Sequence, residues 1–252
     1  MINIVVPMAG RGSRFLKEGF TTPKPLIKIH NHHMIEYVVS NIRPSKDYRF
    51  IFLCLEEHIK QHKIDEILKS IEPSCIVIPV SGVTEGSACT VLLAESYIDN
   101  NSELMIANSD QYIQFQIDEY LKCTALNDGL IMTMNATGNK WSYVTLDDDG
   151  FVTNLREKEE ISEIATTGIY NFKCGSDYVK YSKEMINGNL RVNNEFYVAP
   201  VYNLLIEDNK RIVTFNVGSV DKGMHGLGVP EDLKAFVSNE MSKSIYSDGD
   251  IV

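Results

Sequence analysis

Asn3-Ile4-Val5-Val6-Pro7-Met8-Ala9-Gly10-Arg11-Gly12-Ser13-Arg14-Phe15, with Pro23-Lys24-Pro25-Leu26 shortly after, decides how the rest of the chain is read. Asn3 to Met8 is a short apolar run rich in β-branched residues, the pattern of a buried strand. It breaks at a small-residue loop that carries Arg11 and Arg14. A strand that ends in a glycine loop can turn backbone N–H groups onto an anion. Gly10 and Gly12 let the backbone come close to such a ligand. Arg11, Arg14 and Lys24 add positive charge in a chain whose formal net charge is −10. The simplest reading is a polyphosphate cradle. The bland alternative is a tight strand-to-helix turn with solvated arginines.

Two other glycine-loop readings fail. A Walker A loop ends in Gly-Lys-Ser/Thr, whereas Gly12 is followed by Ser13-Arg14. A dinucleotide fingerprint needs a third glycine, and Phe15 stands there.

Met8 to Phe15 followed by Pro23-Lys24-Pro25-Leu26 resembles the signature of the sugar-phosphate nucleotidyltransferases. The resemblance implies an enzyme that joins a nucleoside triphosphate to a phosphorylated small molecule and releases pyrophosphate. It also implies an α/β fold with a Rossmann-like, doubly wound mixed sheet (GT-A-like), and a small β-hairpin and helical part that binds the acceptor. Met8, Ala9, Gly10, Arg11, Gly12 and Ser13 would cradle the nucleotide, with Arg14 and Lys24 in the catalytic machinery.

The bulk composition fits that class. At 252 residues the chain suits one large α/β domain. We expect a single domain over 1–240, with a nucleotide-binding half (1–136), an acceptor-binding half (137–240) and a loose tail (241–252). The acidic balance argues against a nucleic-acid surface, which is normally basic. No apolar run is long enough to span a membrane, and because the N-terminus enters a strand almost at once we expect no signal peptide. Five scattered cysteines without a Cys-x-x-Cys pair read as free thiols of a cytoplasmic protein. Oligomeric state is not readable from sequence, though an exposed apolar patch could support a homodimer.

Along the chain, Met34 to Ile42 has helical spacing, Phe50 to Leu55 reads as a second strand and Glu56 to Ile71 as one amphipathic helix. His30, His32 and His33 read as a solvated turn rather than a metal site. His58 and His62 have the i, i+4 spacing of a metal face but lack the glutamate of a zincin. Cys75 to Val80 is a third strand, followed by a helix from Gly86 through Tyr97. In the family the loop before that helix reads the base, and Glu85-Gly86-Ser87 occupies it here. A carboxylate at Glu85 can accept from the amino group of cytosine and would repel the carbonyl of uracil or thymine, which leans towards CTP.

Leu104 to Asp110 is a fourth strand with an acid at its end, where ligands meet open α/β sheets. The resemblance makes Asp110 a Mg²⁺ ligand and puts Asn108 beside the nucleotide. Asp118 to Leu126 reads as a helix and Gly129 to Met134 as a fifth strand, which implies a mostly parallel sheet. Asp147-Asp148-Asp149-Gly150 between Tyr143–Leu146 and Phe151–Leu155 is a hairpin signal. Beyond it, Glu157-Lys158 resembles the family's acceptor-holding pair, although Glu159 replaces the usual proline. Gly168, in a returning strand, would line the acceptor pocket. Glu195 would contact the acceptor from a helix spanning about 194–207. Ile212 to Val217 is a late strand, and Pro230-Glu231-Asp232-Leu233 a helix start. Many members carry a second metal-binding Asp two residues before the glycine corresponding to Gly228; here that residue is Gly226. Asp221 is the nearby candidate, and Lys222 and His225 could help bind an acidic acceptor.

The partners implied are a nucleoside triphosphate, a phosphorylated acceptor and Mg²⁺. Within the family the chain is similar to capsule-locus nucleotidyltransferases, among them the CTP:phosphoglutamine cytidylyltransferases of capsular phosphoramidate synthesis. Rivals are a UTP- or dTTP-dependent sugar-1-phosphate enzyme, a GT-A glycosyltransferase, for which Asn108-Ser109-Asp110 only partly matches Asp-x-Asp, and a non-catalytic nucleotide sensor.

Overall fold

The computed structural model describes residues 1–246. Its first half alternates strands and helices: β1 Ile2–Met8, α1 Ser13–Lys17, β2 Lys28–Ile29, β3 His32–His33, α2 Met34–Ile42, β4 Tyr48–Leu55, α3 Glu56–His62, α4 Ile64–Ile71, β5 Ile76–Val80, α5 Ser87–Leu92, α6 Glu95–Ile98, β6 Glu103–Ala107, β7 Gln111–Ile113, α7 Ile117–Lys122 and β8 Gly129–Asn135. The second half adds β9 Ser142–Leu146, β10 Val152–Glu157, β11 Ile164–Phe172, α8 Gly175–Asn187, α9 Val201–Glu207, β12 Ile212–Val220, β13 Gly223–Gly226, α10 Pro230–Ser238 and α11 Glu240–Ser244.

One mixed sheet runs β5-β4-β1-β6-β11-β8-β12-β13-β7, with the β9–β10 hairpin attached to β11. β1 pairs in parallel with both β4 and β6. The β1–β6 ladder stops at Val5, before Pro7, whose ring nitrogen has no hydrogen to donate. β11 is antiparallel to β6 and to β8. Ile4 and Val6 feed one apolar cluster with Phe50, Phe52 and Met105, while Val5 feeds the other with Ile51, Leu53 and Ile106. Strands covered on both faces read as continuous apolar runs, so the doubly wound α/β expectation holds. A third cluster, with Phe15, Tyr37, Leu227 and Phe236, joins α1 and α2 to the C-terminal segment. No helix of the described residues is long and apolar enough to cross a membrane. All five cysteines are free.

Four local expectations change. The helix expected over Glu56 to Ile71 breaks at Lys63, which takes a left-handed conformation (φ 50°) and caps both α3 and α4. The helix expected through Tyr97 is split into α5 and α6. The helix expected from Asn194 begins only at Val201; Asn193 and Asn194 have positive φ, and Val192 and Glu195 form a bridge. α8, absent from the sequence reading, buries Tyr178, Val179, Tyr181, Ser182 and Met185. Of the tail, α11 is helical and Tyr246 stacks on His32 at 3.7 Å; residues 247–252 lie outside the described residues. His32 and His33 sit in the β2–β3 ribbon, with Glu36 accepting from the His33 backbone at 2.6 Å in a capping box.

Candidate active site

At the ends of β1 and β6 the chain leaves the sheet in loops, and those loops wall a cavity of about 340 Å³. Arg14 reaches it from α1, Ser87 from the start of α5, and Asn108 and Asp110 from the β6–β7 turn. The far side comes from the hairpin and β11, with Ser142, Glu157, Thr166, Gly168 and Tyr170. Tyr197 and Ala199 close a third side, and Gly226, Gly228 and Asp232 a fourth.

The glycine loop turns the chain from β1 into α1. Gly12 is left-handed (φ 63°), and its carbonyl accepts from the amides of Phe15 at 2.9 Å and Leu16 at 3.2 Å, which starts α1. Met8 and Ala9 are buried; Gly10, Arg11, Ser13 and Arg14 are exposed. Lys24 starts a single 3₁₀ turn between Pro23 and Pro25. Its Cβ packs on the loop, so that a Cβ at Gly12 would stand 3.2 Å from it. Its ammonium donates to Asp110 Oδ2 at 2.7 Å. Gly12, Lys24 and Asp110 therefore form one continuous contact. Arg11, Gly12 and Lys24 also line a neighbouring hollow with His58 and His62.

Two glycines make room for two carboxylates. A Cβ on Gly228 would lie 2.6 Å from Asp110 Oδ2, and one on Gly226 would lie 2.8 Å from Asp232 Oδ2. Asp232, in the first turn of α10, thus occupies the space a side chain at position 226 would take. Lys140 donates to it at 2.7 Å. Asp110 and Asp232 each offer hard oxygen donors to the cavity, the chemistry Mg²⁺ favours alongside phosphate oxygens and water. Among the described residues no three His, Cys, Asp or Glu side chains cluster as a closed metal cage. Mg²⁺ bridging a polyphosphate does not require one.

Asp221, the sequence candidate, is elsewhere. It is 70% exposed in a turn (φ 60°), and its carboxylate is 3.9 Å from His225 Nδ1. His225 itself is buried and bonded to Gln114 at 3.2 Å, and burial lowers its pKa. Lys222 is exposed, and neither it nor His225 lines the cavity.

At the acceptor end, Ser142 donates to the half-buried Glu157 carboxylate. Burial raises the Glu157 pKa, against the opposing pull of that hydroxyl and of Lys158. Burial alone would lower the Lys158 ammonium, but Tyr197, Glu157 and Glu195 outweigh it and leave the pKa raised. Lys158 donates to Tyr197 Oη at 2.6 Å and stands over its ring. Glu195 is exposed beside this pair. Gly168 (φ 91°) sits where the β11–β8 register shifts, and its carbonyl accepts from Asn108 N at 3.0 Å.

The base-side loop is tied to the segment before α9, since Glu85 O accepts from Phe196 N at 2.8 Å and Phe196 O from Ala88 N at 3.0 Å. Glu85's carboxylate, 65% exposed, is taken by Arg191 and does not line the cavity. Gly86 and Ser87 lie between, and Ser87 lines it. Lys140, Gln111 and Tyr197 had no assignment from sequence, and Asp232 had been read only as part of a helix start. The Pro-Glu-Asp-Leu run was the one available signal for Asp232.

Residues 4–205 match the family model described as "Nucleotidyl transferase". The bifunctional protein GlmU of Methanocaldococcus jannaschii is 24% identical over 173 residues, covering 68% of this chain and 40% of the relative. The chain therefore spans well under half the length of that relative. A nucleoside-diphosphate-sugar pyrophosphorylase from Vibrio cholerae RC9 superposes with a TM-score of 0.79 at 23% identity, covering 94% of this chain and 100% of that one. The inositol-1-phosphate CTP transferase of T. maritima superposes at 0.76 with 13% identity, covering 98% and 96%. At these identities the superpositions establish the fold.

Proposed function

The chain belongs to the nucleotidyl transferase family, and on that premise we propose that it transfers CMP from CTP to a phosphorylated small molecule with release of pyrophosphate. The contact that carries this reading is the Lys24–Asp110 pair, whose carboxylate lines one cavity with Arg14 and the half-buried Glu157. The phosphate oxygen of the acceptor attacks the α-phosphorus, a P–O bond forms, and the bond to the β-phosphate oxygen breaks. That nucleophile is already ionised near neutrality, so a strong base is not needed. The barrier is the meeting of two anions, and positioning with charge stabilisation lowers it.

Arg14 and the amides of the Gly10–Ser13 loop hold the triphosphate. Lys24 exchanges Asp110 for phosphate oxygens and bridges donor and acceptor. Lys158 holds the acceptor phosphate, and Glu157 accepts from a donor group on the acceptor body. Asp110 and Asp232 would hold Mg²⁺, which when bound would neutralise charge on the α-phosphate and the leaving pyrophosphate.

Pyrophosphate release across CTP, UTP, dTTP and ATP, each with phosphoglutamine and sugar 1-phosphates, tests the reading; no release with any pair ends it. Phosphoglutamine and a role in capsule precursor synthesis come from the sequence resemblance. A second reading, a UTP- or dTTP-dependent sugar-1-phosphate enzyme, is favoured by one observation. Arg191 holds Glu85, the residue on which the preference for cytosine rests.

A further inference from the structure

Gln111 follows Asp110 directly and opens β7 opposite Gly226. It is only 5% exposed, yet its Nε2 has no hydrogen-bond partner among the described residues. Of the unpartnered buried side-chain atoms, it alone belongs to a residue on the main cavity. A buried donor without an acceptor costs stability. On a cavity wall, such a group is placed to meet a water or a ligand.

The surroundings hold the side chain in place. Gln111 Oε1 lies 2.9 Å from the position a Cβ on Gly168 would take, and the Asn108 carboxamide lies closer still. β11 gives up a side chain at this point, and two carboxamides fill the room. Two residues to either side on the same strand, Thr166 and Tyr170 bond each other through their hydroxyls at 2.9 Å. Glu157, on the hairpin, is engaged by Ser142. The acceptor end therefore carries the Glu157 carboxylate and, at Gln111, a buried amide donor without a partner among the described residues.

We infer that Gln111 is a specificity-determining residue whose carboxamide donates to an oxygen on the acceptor's body. Glu157 accepts from a hydroxyl or amine of the same molecule. The acceptor class is then a phosphate ester whose body offers both an accepting oxygen and a hydrogen-bond donor, as a phosphorylated sugar, polyol or amino-acid derivative does. A phosphorylated quaternary ammonium compound has no oxygen on its body for Gln111 and no N–H or O–H to give Glu157. The assignment rests on the nucleotidyltransferase reading and narrows its acceptor.

Gln111→Met keeps the volume and removes the donor. Steady-state kinetics with the best acceptor should show its KM raised about tenfold or more, with the KM for the nucleoside triphosphate within about twofold. The thermal midpoint of the free variant should be unchanged or higher, because replacing an unpartnered buried amide by an apolar group breaks no bond. Gln111→Glu, which exchanges the donor for a negative oxygen, should raise the acceptor KM further. An unchanged acceptor KM overturns the inference. So does a variant that loses stability or fails to fold, which marks Gln111 as structural. Wild-type turnover of phosphocholine matching that of glucose 1-phosphate and phosphoglutamine also overturns it. In all these cases the wild-type enzyme still releases pyrophosphate. Absence of wild-type release with every pair ends the functional reading and this inference together.

Discussion

Lys24 Nζ and Asp110 Oδ2 stand 2.7 Å apart, although 86 positions separate them in the chain. One comes from the Pro-Lys-Pro turn, the other from the loop after β6. Each is about a quarter exposed, at 22% and 26%. A pair this open adds at most about 1 kcal/mol to stability, so its value to the protein lies in the site. On the proposed reaction, each group holds the other where phosphate and metal would take them.

Lys24→Ala should therefore lower kcat on the order of a hundredfold, with a change in unfolding free energy of about 1 kcal/mol or less. Arg14→Ala should lower kcat to a similar extent. Denaturant titration and pyrophosphate release measured on the same preparations check both. Near-normal turnover in either variant removes that residue from the machinery.

The two aspartates near the C-terminal segment should behave differently. Asp232→Asn should raise the Mg²⁺ concentration for half-maximal rate about tenfold or more, because its carboxylate lines the same cavity as Asp110. Asp221→Asn, in an exposed turn, should leave it unchanged. A Mg²⁺ titration that moves with Asp221 and ignores Asp232 reverses the assignment.

Glu157 predicts a pH signature. Burial raises its folded-state pKa, so the folded protein binds more protons than the unfolded one between the two values. Stability then falls as pH rises through the unfolded and then the folded pKa, and the full penalty is present above both. Glu157→Gln, which can still accept from Ser142, should melt higher than wild type at pH 7 to 8, with the gain shrinking towards pH 4. The same variant should raise the acceptor KM about tenfold or more. A thermal midpoint below wild type at pH 8 contradicts the burial account.

Gly228→Ala isolates the placement of one carboxylate. Its backbone is not in the left-handed region, so alanine is tolerated locally, but the new Cβ would lie 2.6 Å from Asp110 Oδ2. The carboxylate must move. A displacement of about 1 Å at a reacting centre costs on the order of a hundredfold. We expect kcat to fall with the thermal midpoint nearly unchanged; full activity would mean that Asp110 can act from more than one position.

The parts of the site legible in sequence are those that depend on local chain. β1, the left-handed turn at Gly12, the Pro-Lys-Pro segment and the hairpin around Asp147–Gly150 follow from apolar patterning, glycine and proline within a few residues of each other. Lys63 marks the limit of that logic, since the helical periodicity runs through a residue that the packing bends into a left-handed break.

What only the tertiary structure decided is which distant side chains share a wall. Asp232 reads as a helix start in sequence, and becomes a cavity carboxylate because Gly226 leaves a side chain's worth of room beside it. Asp221 is closer in sequence to the expected position, but its turn points its carboxylate towards solvent and His225. Glu85 lies in the expected base-side loop, and Arg191, 106 residues on, holds its carboxylate. Gln111 has no periodic or motif signal at all. Its importance depends on being buried without a partner, a property set by neighbours from β11 and β13 that no local window contains.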